Sequence, residues 1–470
     1  MVRPLNSVLG RVLLSVSVPA VLAAIEVDID NEDSIKKAAA LVAEDLMSFY
    51  DGDKPGHIPG MLSDPAPFGD YYWWTGGLLW NTLIDYSSVT GDTKYVDTTV
   101  KGLEWQLGEH GDFLPANWTV QAGNDDQGIW ANAGLTAAMS GLPAPSVNGT
   151  SDWLSPARKV VDELTVRRID NGTTEGALRW QIAPFNNGYN YINTASNAAY
   201  FALAAGLAHE TKNDTLAEQA ASTYEILTKL GLIDDKFNIY DGCQTTDDCK
   251  TVSRLQVSEN PGLLLTGAAY MYNQTNGDQT WKKRLDGLLA RTLELFFPDG
   301  VAAEVACESK RYTCNGDMKQ YKGMLHRGLG QAMRAAPYTK GQILPVLKSS
   351  AAAAVKTCTE GANQRLCSSL WTAGGAQGDK AQEAARKDAA TAQMDVLNAL
   401  NSVLMASAST DTKLTGGNGG SDGGKGQGSS DAAGGSKDGN KDTPGSMGST
   451  APVSAAVLFG GLFFSAVAIF

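Results

Sequence analysis

A helix with almost no charge on any face has to be wrapped by other protein, and this chain spells four such helices in succession. Each repeats one order: a polar loop, a stretch of Ala, Gly, Leu and aromatic residues almost free of charge, a short turn, and a more polar helix. These nearly uncharged stretches cover residues 72–86 (with Asp85 as the one charge), 131–140, 198–208 and 263–272. Their polar partners cover 95–106, 155–164 (opening on a Ser155 cap with Pro156), 216–230 and 281–296, and a striped helix over 33–50 precedes them all. Helices apolar all round are enclosed, whereas an amphipathic helix buries a single face. The alternation predicts an inner ring of helices wrapped by an outer ring, an all-α toroid. In such a ring the loops feeding the inner helices meet at one end and form one cleft. Strand-length alternation is nearly absent, so at most short hairpins are expected.

Those loops hold the residues able to do chemistry. The densest is Gly123-Asn124-Asp125-Asp126-Gln127-Gly128-Ile129-Trp130: two adjacent carboxylates bracketed by amides and glycines. It precedes an uncharged helix, where free backbone N–H groups and the helix dipole favour negative charge. A plain N-cap at Asn124 or Asp125 would need one acceptor, not four polar side chains in a row. The other loops add Tyr72, Trp73 and Trp74, then Asn187, Tyr189, Asn190 and Asn197, then Glu259 and Asn260. The four histidines (His57, His110, His209, His326) are scattered and no cysteine pair has C-x-x-C spacing, so no metal is called for, nor any other cofactor. A match to the hydrolase elbow at Gly419, Ser421 and Gly423 lies in a Gly/Ser-rich stretch, without the strand and helix such an elbow needs.

What is left is chemistry done by two carboxylates, of which glycosidic-bond cleavage is the main case. One carboxyl, protonated, assists the leaving oxygen; the other, ionised, attacks or supports the oxocarbenium-like centre. Like charges side by side push the two pKa values apart and so divide the roles at one pH. Neighbouring residues can hold their carboxyls at about the 5–5.5 Å of a retaining mechanism. Trp and Tyr rings would stack on sugars, and amides would bond hydroxyls. The candidate substrate-binding residues are therefore Trp73, Trp74, Asn124, Gln127, Trp130, Tyr189, Asn190, Asn197, Glu259 and Asn260, although core packing claims most of the 10 Trp. A net charge of −13 argues against nucleic acid or an anionic membrane surface as a partner.

The ends carry an address. Residues 1–24 have a basic start (Arg3, Arg11), an apolar run from Val12 to Leu22 and small residues at Ala20, Ala23 and Ala24, the layout of a secretory signal peptide. The folded domain is expected over 25–408, a flexible Gly/Ser-rich stalk over 409–450, and an uncharged tail over 451–470. Stalk and tail match a signal for glycosylphosphatidylinositol (GPI) attachment, in which the tail is removed. The mature chain is then expected at the cell surface, on the outer leaflet of the plasma membrane or in the cell wall, as a monomer. Sequons begin at Asn117, Asn148, Asn171, Asn213 and Asn273. Six cysteines fall into three close couples, Cys243–Cys249, Cys307–Cys314 and Cys358–Cys367, read as local disulfide staples.

In sequence the chain resembles glycoside hydrolase family 76, in its fungal branch of surface-anchored mannan endo-1,6-α-mannosidases. The resemblance rests on Tyr72-Trp73-Trp74-Thr75-Gly76-Gly77 with Asp85-Tyr86 and Thr90-Gly91-Asp92, and on Asn124-Asp125-Asp126-Gln127-Gly128. It continues through Asn187-Gly188-Tyr189-Asn190-Tyr191, Ser196-Asn197, and Cys307 and Cys314-Asn315 leading to Tyr321-Lys322-Gly323. It implies an (α/α)6 toroid and a retaining mechanism with Asp125 as nucleophile and Asp126 as acid/base. It also implies a donor of α-1,6-linked mannan or GPI glycan, and a wall glucan as an acceptor in place of water. One stretch departs: Gln256-Val257-Ser258-Glu259-Asn260-Pro261 stands where the family carries Trp-Ser-Tyr-Asn, two aromatics fewer. That departure supports the alternative, a wall-anchored glycan-binding protein without turnover.

Overall fold

Enclosure shows in which helix packs on which. The computed structural model describes residues 25–62, 71–147, 149–308, 312–372, 389–408 and 414, with twelve α-helices among them. Six form an inner ring: α2 (Trp73–Thr90), α4 (Asn124–Ser140), α6 (Thr194–Thr211), α8 (Glu259–Gln274), α10 (Tyr321–Ala335) and α12 (Ala389–Leu404). Each packs on the next, and α12 closes the circle on α2. The outer helices are α1 (Glu32–Met47), α3 (Val96–Gln106), α5 (Leu154–Arg167), α7 (Asp214–Lys229), α9 (Gln279–Phe296) and α11 (Lys340–Val355). Of these, α1 and α11 back α12, α3 backs α2, α5 lies across α4 and α6, α7 across α6 and α8, and α9 backs α8. The predicted toroid is an (α/α)6 barrel.

Small residues set how closely the inner helices approach. A Cβ on Gly128 would fall 2.9 Å from Ala199 Cβ where α4 meets α6, and one on Gly328 would fall 2.2 Å from Gly262 O where α10 meets α8. Every residue of α2 from Trp73 to Val89 is buried, which is why the sequence there excludes most charge.

The structure corrects the sequence expectations in three places. Helix α4 begins at Asn124, so the acidic stretch is its first turn rather than the loop ahead of it. Helix α5 begins at Leu154 and Asp152 Oδ1, not Ser155, takes a first-turn N–H, that of Ser155, at 2.7 Å. Helix α10 belongs to the inner ring although it carries Lys322, His326, Arg327 and Arg334. Two of its charges are paired indoors: Lys322 Nζ with Glu308 at 2.5 Å and Arg327 Nε with Asp85 at 2.6 Å.

A small antiparallel sheet, β1 (Tyr191–Asn193), β2 (Gly242–Gln244) and β3 (Val252–Ser253), is the hairpin element, and β1 runs straight into α6. The cysteines pair as Cys243–Cys249, Cys307–Cys314 and Cys358–Cys367. Asn117, Asn171 and Asn273 are exposed and Asn213 is half-buried; Asn273 also donates its amide N–H to Ala335 O at 2.9 Å. Asn148, the signal segment 1–24, the stalk with its Gly419-Ser421-Gly423 match and the tail 451–470 lie outside the described residues. The chain divides into two units, Met1–Gly417 and Asn418–Phe470, of which the second is wholly outside them. Among the described residues no helix is long and apolar enough to cross a membrane.

Candidate active site

The acidic pair is built into the start of α4. Gly123 precedes the helix, and Asp126, in the first turn, reaches back to accept its N–H through Oδ2 at 2.6 Å. Asp125 accepts twice: Oδ1 from the Asp126 backbone N–H at 2.9 Å, and Oδ2 from Asn193 Nδ2 at 2.7 Å. Position 123 has to be glycine, because a Cβ there would fall 2.2 Å from Asp125 Oδ1. Behind the turn, Arg167 on the last turn of α5 donates to Asn124 Oδ1, Gln127 Oε1 and Glu163 Oε2. Gln127 Nε2 in turn donates to Asp112 O and to Glu163 Oε2. This bracket locks the back of the turn and leaves Asp125 and Asp126 on the side away from it.

Around the pair stand two further carboxylic acids, from the entrances of α8 and α10. Burial raises Asp125 to about 6, with the Asn193 amide and the neighbouring backbone N–H groups restraining the rise. Burial and then the Asp125 charge hold Asp126 well above the ordinary carboxylate range. Asp317 is raised to about 6 by burial, opposed by the Trp74 indole N–H that it accepts at 3.1 Å. Glu259 is raised well above its usual value, by burial and then by the charges of Asp125 and Asp317, while a hydrogen bond with Tyr321 opposes the shift. Four acids sharing one poorly hydrated space cannot all ionise. Asp125, with more donors around it, is the more readily ionised of the two and Asp126 the more readily protonated, a bias of the kind two-carboxylate chemistry uses. Among the described residues no three His, Cys, Asp or Glu side chains group as a metal site would need.

Not all the candidate substrate residues reach this space. Trp74 and Glu259 do, through the contacts just given. Tyr189, half-buried under the Arg179 guanidinium at 4.7 Å, and exposed Asn190 sit on the loop leading into β1. Asn260 is buried with its Oδ1 unpartnered. The other five are corrected. Trp73 stacks between Trp118 and Trp130 and donates to Gln106 Oε1, so it is core. Trp130 is fully buried beneath Gly76 and Gly77. Asn124 and Gln127 spend their amides on Arg179 O, Asp112 O, Glu163 and Arg167. Asn197 is buried and exchanges hydrogen bonds with the Leu178 backbone. The same five residues build the site from behind. Sequence reasoning missed Asn193, Asp317, Tyr321 and Trp180 as site residues. Asn193, Asp317 and Tyr321 lie just before or at the start of an inner helix, whereas Trp180 lies in the long connection between α5 and β1; the shared-end rule would have found Asp317 and Tyr321 had α10 been recognised as inner.

With that geometry in view, comparison with known proteins is decisive. The model of glycosyl hydrolase family 76 matches residues 34–415. The chain belongs to this family. It is 37% identical over 351 residues to the mannan endo-1,6-α-mannosidase DCW1 of Saccharomyces cerevisiae, covering 74% of this chain and 76% of that one. The crystal structure of Dfg5 from Chaetomium thermophilum in complex with glucosamine superimposes with a TM-score of 0.77 at 40% identity, over 81% of this chain and 93% of that one. An inactive α-1,6-mannanase of Salegentibacter sp. in complex with α-1,6-mannotriose shares the fold at a TM-score of 0.59 and 14% identity, over 79% of this chain and 99% of that one. The family 76 chain is a glycosidase, and its (α/α)6 barrel is the fold of its relatives.

Proposed function

We propose that this family 76 protein is a retaining enzyme that cleaves α-1,6-linked mannose of mannan or of a GPI glycan and passes the glycosyl group to water or to a wall-glycan hydroxyl. The observation that carries the proposal is the pair of adjacent carboxylic acids at the start of α4, held unequally: Asp125 accepts from Asn193 and a backbone N–H, Asp126 from the Gly123 N–H alone, and burial raises both. In the first step an Asp125 oxygen attacks the anomeric carbon while Asp126 gives its proton to the departing glycosidic oxygen. In the second, the Asp126 carboxylate takes a proton from water or an acceptor hydroxyl, whose oxygen displaces Asp125 from the same carbon. Asn193 and the Asp126 backbone N–H hold the charge that returns to Asp125.

Two findings support the substrate. Curated relatives are mannan endo-1,6-α-mannosidases, and the Chaetomium relative was crystallised with glucosamine. The Asp125, Asp126, Glu259 and Asp317 acids favour a donor carrying an ammonium group beside neutral hexoses, as an unacetylated amino sugar does. The expected signal peptide over residues 1–24 and GPI signal over residues 409–470 support action at the cell surface in wall biogenesis. A covalent mannose-configured inhibitor should label Asp125, detected by peptide mass spectrometry, and the released sugar should keep its anomeric configuration. An inverted product, or a label elsewhere, would refute the mechanism. Retention of cellular function by Asp125→Asn and Asp126→Asn would favour the non-catalytic alternative.

A further inference from the structure

The mouth of the ring has two unlike flanks. On one stand buried Glu259 and half-buried Asp317, from the entrances of α8 and α10. The other is a lip made where residues 118–123 meet residues 180–190, two segments without a single charged residue. They pair through the Gly123–Gln181 bridge, through Ile182 N–H to Ala122 O and through Asn124 N–H to Trp180 O at 2.8 Å. The chain then folds back so that Asn186 Nδ2 donates to Val120 O at 2.8 Å and to Gln181 Oε1 at 3.0 Å. On this lip apolar surface faces solvent: Trp180 is 38% exposed, Val120 59% and Phe185 75%.

Trp180 reaches from the lip to the reacting pair. The point where a Gly123 Cβ would sit lies 2.2 Å from Asp125 Oδ1 and 3.2 Å from Trp180 Nε1, so the indole edge borders the Asp125 carboxylate. Its orientation is fixed from behind. The six-membered ring rests on Gly188, where a Cβ would fall 2.2 Å from Cε3, and its backbone N–H donates to Tyr191 O at 2.7 Å. A held, half-exposed indole and a second exposed ring, among amides and without charge, are the means by which proteins hold an uncharged sugar ring.

We propose that Trp180 and Phe185 form the acceptor subsite: they hold the neutral hexopyranose whose hydroxyl takes the glycosyl group from Asp125. This rests on the retaining reaction proposed above. The openness of the lip separates it from the donor side, since a sugar that must be stripped of water for cleavage needs enclosure, and an acceptor chain that arrives and leaves needs an open platform. The lip segments carry no carboxylate of their own, so the stronger pull on an ammonium group comes from the acidic flank.

The test uses the purified chain, an α-1,6-mannan oligosaccharide donor and two labelled acceptors at graded concentration, a β-glucan oligosaccharide and a manno-oligosaccharide. Trp180→Ala is expected to raise the acceptor concentration for half-maximal transfer about tenfold, Trp180→Phe less, and Phe185→Ala several-fold. Donor hydrolysis without acceptor should be unchanged in Phe185→Ala, whose ring stands away from the reacting pair; Trp180→Ala, beside Asp125, is read by the ratio of transfer to hydrolysis. Phe185→Ala removes a ring with little packing, so it reports even if Trp180→Ala disturbs the lip. Whichever acceptor shows the dependence identifies the hexose. Unchanged acceptor dependence in all variants overturns the subsite, and so does loss of hydrolysis and transfer in equal proportion. A wild-type enzyme that hydrolyses but never transfers also overturns it, leaving the glycosidase intact. One that consumes no donor overturns the mannosidase reaction itself.

Discussion

Asn193→Ala should shift the pH dependence of the reaction without removing either acid. Asn193 donates through Nδ2 to Asp125 Oδ2 at 2.7 Å in a buried setting, and so stabilises the ionised form. A hydrogen bond to a charged group contributes about 1.5–3 kcal/mol, and one pKa unit is about 1.36 kcal/mol. Deleting the donor should therefore carry Asp125 from about 6 up by roughly one to two units. The sign is fixed: the donor favours the charged acid, so its loss raises the pKa and moves the acid limb of kcat/KM to higher pH. At pH 5 the rate should fall by about 10- to 100-fold, while above the new limb it approaches wild type. Asn193 also caps α6, its Oδ1 accepting the Ser196 N–H at 3.2 Å, so the variant loses about 0.5–2 kcal/mol of stability at every pH. Asn193→Asp separates the two effects. It keeps the cap acceptor and sets a further carboxylic acid against Asp125, so the limb should move at least as far with less loss of stability. The measurement is kcat/KM on a mannan oligosaccharide across the pH range, beside thermal melts. An acid limb still near pH 6 in Asn193→Ala, with activity lowered uniformly, would refute the account of Asp125.

Four other outcomes follow from the same site. Asp126→Asn should slow cleavage of mannan by about 10²–10⁴-fold and affect an activated aryl α-mannoside much less; equal loss on both would remove Asp126 as the acid. The same variant should melt higher than wild type at pH 7, because Asp126 is raised in the folded state and its stabilising proton uptake is lost as pH rises. That advantage should vanish near pH 3, where both states are protonated. Gly123→Ala should cost about 100-fold in kcat with a near-normal melt, since the new methyl displaces the end of Asp125 rather than backbone. Arg167→Met should cost about 2–3 kcal/mol of stability by leaving Glu163 and the amides of Asn124 and Gln127 without their partner, read by denaturant melts.

How much of this was legible in the sequence depended on how local the cause was. Helices α2, α4, α6 and α8 could be read because enclosure excludes charge, and that exclusion leaves its mark on every residue of the helix. Helix α10 could not. Its Lys322 is neutralised by Glu308 and its Arg327 by Asp85, partners separated along the chain by 14 and 242 residues, so its enclosure leaves no local mark. Tryptophan is equally mute about its fate. Trp73 and Trp130 became core and Trp180 a half-exposed ring, although the same side chain serves both purposes. The amides misled for a helical reason. With α4 starting at Asn124, Asn124 and Gln127 are three apart and share one face, the face turned to Arg167 on α5. Asp125 and Asp126 lie off that face. A helix start set seven residues late hid this division and made four polar neighbours look like one cluster.

The same helix start explains why a largely apolar inner ring and an acidic mouth belong together. An exposed Asp-Asp pair would be fully ionised at neutral pH, with no acid left to protonate a leaving oxygen. Here the inner helices withdraw water from below the first turn of α4, and burial is the first cause of the rise at Asp125, Asp126, Glu259 and Asp317 alike. Local donors then break the tie. Asp125 has the Asn193 amide and a backbone N–H, Asp126 only the Gly123 N–H, so Asp125 ionises first. Burial in the toroid thus raises both aspartates, and one asparagine at the start of α6 tilts the charge toward Asp125 and the proton toward Asp126.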